Sequence, residues 1–224
     1  MFLSRVEIAS KDFKKMRGLT HLGAYHDWVE KSFPSEIEQG IRRRHLWRID
    51  HLAGKDYLLV VSEDKPDLVQ LEAHGVLGSA KTKEYDAFLD KIQVGQIFRF
   101  RLTANPTYAV AQPGEKRSKI YPHITVDQQK KWLLDRSERL GFEFLEQETD
   151  IDDGNEQLTL EIVERNWEVL RRKSGQRTIK LSSVSFEGFL KVTDLEKFKI
   201  ALTEGIGREK AFGMGLLTVI PMRM

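Results

Sequence analysis

The chain has 224 residues, 40% of them hydrophobic and 31% charged, which allows one large domain or two compact ones of about 100 residues. Disordered, collagen-like and membrane-embedded classes are excluded: no stretch approaches the roughly 20 apolar residues that cross a bilayer, and the start, MFLSRVEIAS, lacks a secretory h-region, which points to the cytosol. With no cysteine, disulfides, thiolate zinc sites, iron–sulfur clusters and cysteine nucleophiles are ruled out.

Net charge is +2, from 36 Lys+Arg against 34 Asp+Glu, so bulk charge announces no polyanionic partner. The distribution says more. Leu140 to Glu164 holds nine acidic residues and no basic one, whereas Arg165 to Lys180 holds six basic residues and one acid, Glu168. A second basic cluster is Arg42, Arg43, Arg44 and Arg48. Such segregation fits either polyanion-binding stripes or a solvated hairpin face.

In chain order, Phe2 to Ile8 reads as a strand, Lys11 to Leu19 as a short helix, and Ala24 to Phe33 as a helix stopped by Pro34. Strands are expected at His45 to Ile49 and Tyr57 to Ser62, a short helix at Asp67 to Ala73 and a weak strand at Val76 to Ser79. The order is β-α-β-β-α-β. Gln96 to Thr103 then alternates cleanly as a strand, and a loop follows at Gln112 to Lys119. A helix opens at Thr125 with Gln128 three residues on and is closed by Gly141. Phe142 to Gln147 and Gln157 to Arg172 read as extended, Lys173-Ser-Gly175 as a hairpin turn, and Thr178 to Val192 as a long strand with a bulge at Gly188. Asp194 caps a helix to Leu202, and Leu216 to Ile220 is a last strand. This second half repeats the order with an extra hairpin. The fold class is therefore α+β: two tandem ferredoxin-like domains with antiparallel sheets, residues 1–92 and 96–224, each sheet covered on one face by helices. Sheets of this kind can carry RNA on the open face or in the cleft between two copies.

Four segments taken together, MFLSRVEI, RFRLTANP (Arg99 to Pro106), SFEGFL (Ser185 to Leu190) and GIGREKAFGMGLL (Gly205 to Leu217), resemble the CRISPR-associated endoribonuclease of type I-E systems, the CasE family, across both halves of the chain in order. The resemblance implies tandem ferredoxin-like domains and cleavage of the CRISPR transcript within each repeat, next to a hairpin and without metal or cofactor. It also implies retention on that stem-loop RNA as a subunit of the interference complex. A non-catalytic RNA-binding subunit of the same complex is the alternative.

Metal-free RNA cleavage uses the neighbouring 2′-hydroxyl as nucleophile. It needs a group near pKa 7 to move protons and cations or donors to stabilise the phosphorane. Of the six histidines, His26 matches the family's catalytic histidine, with His21 its competitor. Lys31 resembles a lysine that relatives place near the scissile phosphate, against the bland reading of an exposed helix lysine. Relatives can carry a tyrosine three residues before the histidine, where this chain has Gly23; the adjacent Tyr25 is the substitute candidate. For RNA binding, the resemblance favours the basic hairpin with Arg171, Arg172, Lys173, Arg177 and Lys180. The segment Gly205-Ile-Gly207-Arg208-Glu-Lys210 fails the dinucleotide fingerprint and is not a Walker loop, but its glycines and charges suit an RNA-backbone cradle. Trp28, Trp47, Trp132 and Trp167 read as core residues, with one of them free to stack a base.

Overall fold

The computed structural model describes residues 1–114, 117–146, 158–170 and 179–222. The N-terminal half contains β1 (Phe2–Glu7), α1 (Phe13–Met16), α2 (Leu22–Lys31), α3 (Pro34–Gln39), β2 (Leu46–Leu52), β3 (Lys55–Ser62), α4 (Leu68–Leu71), β4 (Lys81–Glu84) and α5 (Asp86–Leu89). Its antiparallel sheet runs β2-β3-β1-β4, the ferredoxin-like order. The rest contains β5 (Ile97–Ala104), β6 (Thr107–Val110), β7 (Lys119–Pro122), α6 (Val126–Leu134), β8 (Phe142–Phe144), β9 (Leu160–Leu170), β10 (Ile179–Val192), α7 (Leu195–Glu204) and β11 (Leu217–Pro221). Its sheet runs β11-β5-β10-β8, the same order again, and β9 adds the extra hairpin by pairing with the long β10.

Several local expectations are corrected. Pro34 does not end helical structure: it sits in the first turn of α3, where its missing N–H costs nothing. The strand expected at Val76 to Ser79 lies instead at β4, because Gly78 turns the chain at φ 75° and Ala80 N–H bonds the Glu72 carboxylate before pairing begins. The segment read as a loop at Gln112 to Lys119 lies between β6 and β7, two strands not expected from the sequence, which pair in a sheet separate from the other two. The helix from Thr125 has its capping box with Gln128 but ends at Leu134; Gly141 closes a following 3-10 turn, Glu138–Leu140. The irregularity placed at Gly188 falls at Ser185/Phe186, opposite Val163. Gly188 serves another end: a Cβ there would stand 1.7 Å from the Thr159 carbonyl oxygen.

Strand alternation decides how the halves meet. On one face of the first sheet, Val6, Leu58, Val60 and Trp47 pack under Trp28, Val29 and Phe33 around α2. On the opposite face, Leu3, Leu59, Val61 and Leu46 join the apolar core of the C-terminal half. The face expected to be open is thus largely spent on packing the domains together. Arg48 belongs to this second face and is 2% exposed. Its guanidinium donates to Asp50 at 2.6 and 2.8 Å, to the Arg101 and Leu216 carbonyls at 2.9 and 2.8 Å, and to Thr218 Oγ1 at 2.7 Å. Arg48 therefore does not belong to a surface polyanion stripe; it is a buried staple between the two sheets.

Candidate active site on the second helix

α2 begins because the His21 ring caps it: Nδ1 accepts the Ala24 N–H at 3.2 Å. His21, the competing histidine, is thereby committed to the helix end. Gly23 leaves space for that ring, since a Cβ at position 23 would approach His21 Nδ1 to 3.0 Å. Leu22, Tyr25, Trp28 and Val29 then form the apolar side of α2, at the spacing that points them into the core. Burying Val29 and Phe33 contributes roughly 1.5–3 kcal/mol each, enough to fix the helix on the sheet.

His26 and Glu30 share the flank of α2, and Asp27 and Lys31 share the outer side. The His26 side chain keeps 20% of its surface exposed. Three elements converge on it. From α2, Glu30 Oε1 lies 3.8 Å from Nδ1. From the segment after α3, Arg42 donates to Nε2 at 3.1 Å and its Nε lies 3.5 Å from Glu30 Oε2. From the C-terminal half, the edge of the Phe212 ring stands 6.1 Å from the imidazole, centroid to centroid.

A guanidinium only donates, so Nε2 accepts and the neutral imidazole carries its proton on Nδ1, facing Glu30. Burial pulls the His26 pKa below the ordinary histidine value; the charges of Arg42 and His45 act the same way, against Glu30 and Asp27. The ring is therefore neutral near pH 7, the form of a base.

Behind it lies a second histidine in a different state. His45 Nδ1 donates to Glu30 at 3.0 Å and Nε2 to Glu36 at 3.1 Å, and the ring stacks on Phe33 at 3.8 Å. Two carboxylates can only accept, so His45 is an imidazolium. Burial disfavours that charge, but the bonds to Glu30 and Glu36 raise its pKa above the usual value. Burial likewise opposes ionisation of Glu30, and His45, His26 and Arg42 together overcome it and hold the carboxyl below its usual range. Sequence reading missed Glu30, Arg42, His45 and Phe212. Glu30 was within reach through its four-residue spacing from His26; the others reach the site only through tertiary structure.

The other expected residues are placed as follows. Tyr25 stacks on Trp47 with centroids 6.1 Å apart, and burial, then Asp56, raise its pKa. Lys31 pairs with Asp27 at 2.7 Å on the exposed side of α2. The structure does not bring either to the His26 imidazole. Gly205 and Gly207 lead from α7 into a 3-10 turn, Lys210–Phe212, that carries Phe212 to His26. This turn seats closely on β2: Trp47 Nε1 donates to the Ala211 carbonyl at 3.2 Å, and a Cβ on Gly213, at φ 77°, would stand 2.7 Å from the Trp47 ring. Lys210 donates to the Glu204 carbonyl at 2.5 Å, and burial, then Arg44, lower its pKa. Arg208 lines a groove of about 620 Å³ with Trp132, Arg136 and Arg139, and His26 is not part of that lining. Of the basic hairpin, Arg171, Arg172, Lys173 and Arg177 lie outside the described residues. Lys180 is exposed on β10, and by register it shares a face with Val169 and Trp167 of β9. Trp167 is no core residue, being 52% exposed, because this hairpin extends beyond the packed sheet; Trp28, Trp47 and Trp132 are buried.

A family model described as CRISPR associated protein matches residues 1–221. The chain belongs to that family. It is 31% identical over 227 residues to the CRISPR-associated endoribonuclease Cse3 of Thermus thermophilus, covering 99% of this chain and all of that protein, so the CasE resemblance read from the sequence holds. A solved structure of Thermus thermophilus Cse3 bound to an RNA representing a pre-cleavage complex superposes with a TM-score of 0.78 at 28% identity, with 98% of each chain covered. The CRISPR-associated protein Cas6e of Escherichia coli, at 22% identity and a TM-score of 0.67 over 99% of this chain and all of its own, shares the fold.

Proposed function

We propose that this chain is a metal-independent endoribonuclease that cuts CRISPR precursor RNA within each repeat, beside its stem-loop. The observation that carries the reading is a partly exposed, neutral imidazole whose Nε2 meets the exposed Arg42 side chain, in a site assembled from both halves of a chain in this family. Its Cse3 relative, named an endoribonuclease and solved with RNA, supports the same reaction class.

In the reaction, His26 Nε2 takes the proton of the ribose 2′-hydroxyl, and the 2′ oxygen attacks the adjacent phosphorus. The bond from phosphorus to the 5′ oxygen breaks, and that oxygen leaves with a proton from solvent. The products are a 2′,3′-cyclic phosphate and a 5′-hydroxyl, and the imidazolium returns its proton to water. Residues 1–92 supply the histidine, and residues 96–224 hold the stem-loop through the Arg171, Arg172, Lys173, Arg177 and Lys180 hairpin. Gly205, Gly207, Arg208 and Lys210 pass the RNA backbone near the cut. Lys31 contacts a phosphate at the margin of the site by exchanging Asp27 for RNA, and Tyr25 sets the pitch of α2 against Trp47. The chain stays on its product as a subunit of the type I-E interference complex in the cytoplasm. Among the described residues no helix is long and apolar enough to cross a membrane.

The test is a stem-loop repeat RNA incubated with protein in chelator. Parent protein should give a cyclic-phosphate end, and His26→Ala should bind the RNA but leave it whole. A 3′-hydroxyl end, or cutting that needs added divalent metal, would overturn the reading.

A further inference from the structure

We propose that Arg42, rather than Lys31, is the cation that receives the reacting phosphate, and that in the RNA-free protein it closes the catalytic nitrogen of His26. The proposal rests on the reading above for its reaction and on three observations for its geometry.

First, Nδ1 of His26 faces Glu30, so a 2′-hydroxyl must approach Nε2, and the group already at Nε2 is the Arg42 guanidinium, 3.1 Å away. When a ribose hydroxyl replaces it, the phosphorus lies about 3–3.5 Å from the 2′ oxygen in an attack-ready geometry. The non-bridging oxygens then fall beside the displaced guanidinium, whose planar fork matches them. Second, Arg42 can make that move. Its side chain is 74% exposed, it follows Gly40, whose φ of 65° ends α3, and its other partner is Glu30 at 3.5 Å, a long contact. Its neighbours Arg43 and Arg44 are held elsewhere, on Glu63 with Asp64 and on Glu204. Third, Lys31 is wrongly placed. Five residues after His26 on a helix, it points roughly 140° around the axis from the imidazole, and its ammonium is tied to Asp27 at 2.7 Å. Arg42 thus stabilises the pentacoordinate phosphorus while bound RNA opens Nε2. In the free protein burial is the main cause that keeps the imidazole neutral, and the Arg42 charge adds to it with His45 and against Glu30 and Asp27; Phe212, from the opposite domain, adds no charge.

The test compares Arg42→Ala and Arg42→Lys with parent and His26→Ala in single-turnover cleavage at saturating stem-loop RNA. Loss of one transition-state donor predicts a rate constant lower by about 100-fold or more in Arg42→Ala. Arg42→Lys should recover part of it, and the affinity for a repeat RNA carrying a 2′-deoxy sugar at the cut should change less than the rate. A second readout needs no RNA: in Arg42→Ala the His26 imidazole, followed by NMR, should titrate at higher pH and react faster with diethyl pyrocarbonate. Arg42→Ala cutting at the parental rate while His26→Ala stays inactive would overturn the Arg42 role and leave the endoribonuclease reading standing. An effect confined to affinity, or an unmoved His26 titration, would overturn it equally. Activity in His26→Ala would instead sink the reading on which it rests.

Discussion

Replacing Arg48 with methionine tests how the two domains are held at the geometry the site requires. The side chain is 2% exposed and all its donors are used. Methionine fills much of the aliphatic volume but strands the Leu216 carbonyl, at about 1–3 kcal/mol when buried without a partner, while the Arg101 carbonyl keeps the Thr218 hydroxyl at 3.3 Å. The Asp50 carboxylate keeps a weaker neighbour, Arg101 Nε at 3.6 Å, and adds little. The expected loss is therefore about 1–3 kcal/mol, set mainly by the Leu216 carbonyl. Urea unfolding followed by circular dichroism measures it directly, with the denaturant slope expected to stay constant. A loss below about 1 kcal/mol would refute the staple and return Arg48 to the surface cluster.

Three other outcomes are expected. Gly213→Val drives a side chain into the Trp47 ring at a left-handed backbone position, costing about 1–3 kcal/mol, and by shifting Phe212 it should slow cutting more than it weakens stem-loop binding; filter binding and single-turnover rates separate the two. Because His26 titrates below its ordinary value and acts unprotonated, the cutting rate should be flat from pH 7 upward and fall only below about pH 6.5, which a pH–rate profile reads. His45 has a folded pKa above its unfolded one, so its stabilisation is complete below about pH 6.5 and is lost as pH rises through the folded value. Glu30 is shifted down, so its contribution is present above about pH 4.3 and lost as pH falls. Thermal unfolding should therefore show parent stability declining above neutrality, and His45→Gln should remove that part of the slope.

The tandem ferredoxin-like order was legible because each half prints its strands by alternation, most clearly in Ile97 to Ala104, and its helix starts by caps such as Thr125 with Gln128 and Asp194. The sequence showed Arg48 only as one of four clustered arginines; a buried arginine looks like a surface one until the partner sheet is present. β4, Lys81–Glu84, carries no apolar pattern, since three of its four residues are exposed at a sheet edge, so its position could not be read. In the site, the family resemblance pointed to His26, whereas Arg42 and Phe212 arrive from 16 and 186 positions away and leave no local signature. Lys31 and Tyr25 show the limit of spacing along a helix: neither lies on the His26 flank.

The central claim is that one imidazole moves the proton that starts the cut. Single-turnover cleavage of stem-loop repeat RNA by His26→Ala, with and without free imidazole in the buffer, tests it most directly. The account predicts no cutting by the variant alone and a cyclic-phosphate product once imidazole is supplied. Cutting by the unsupplemented variant at the parental rate would contradict it.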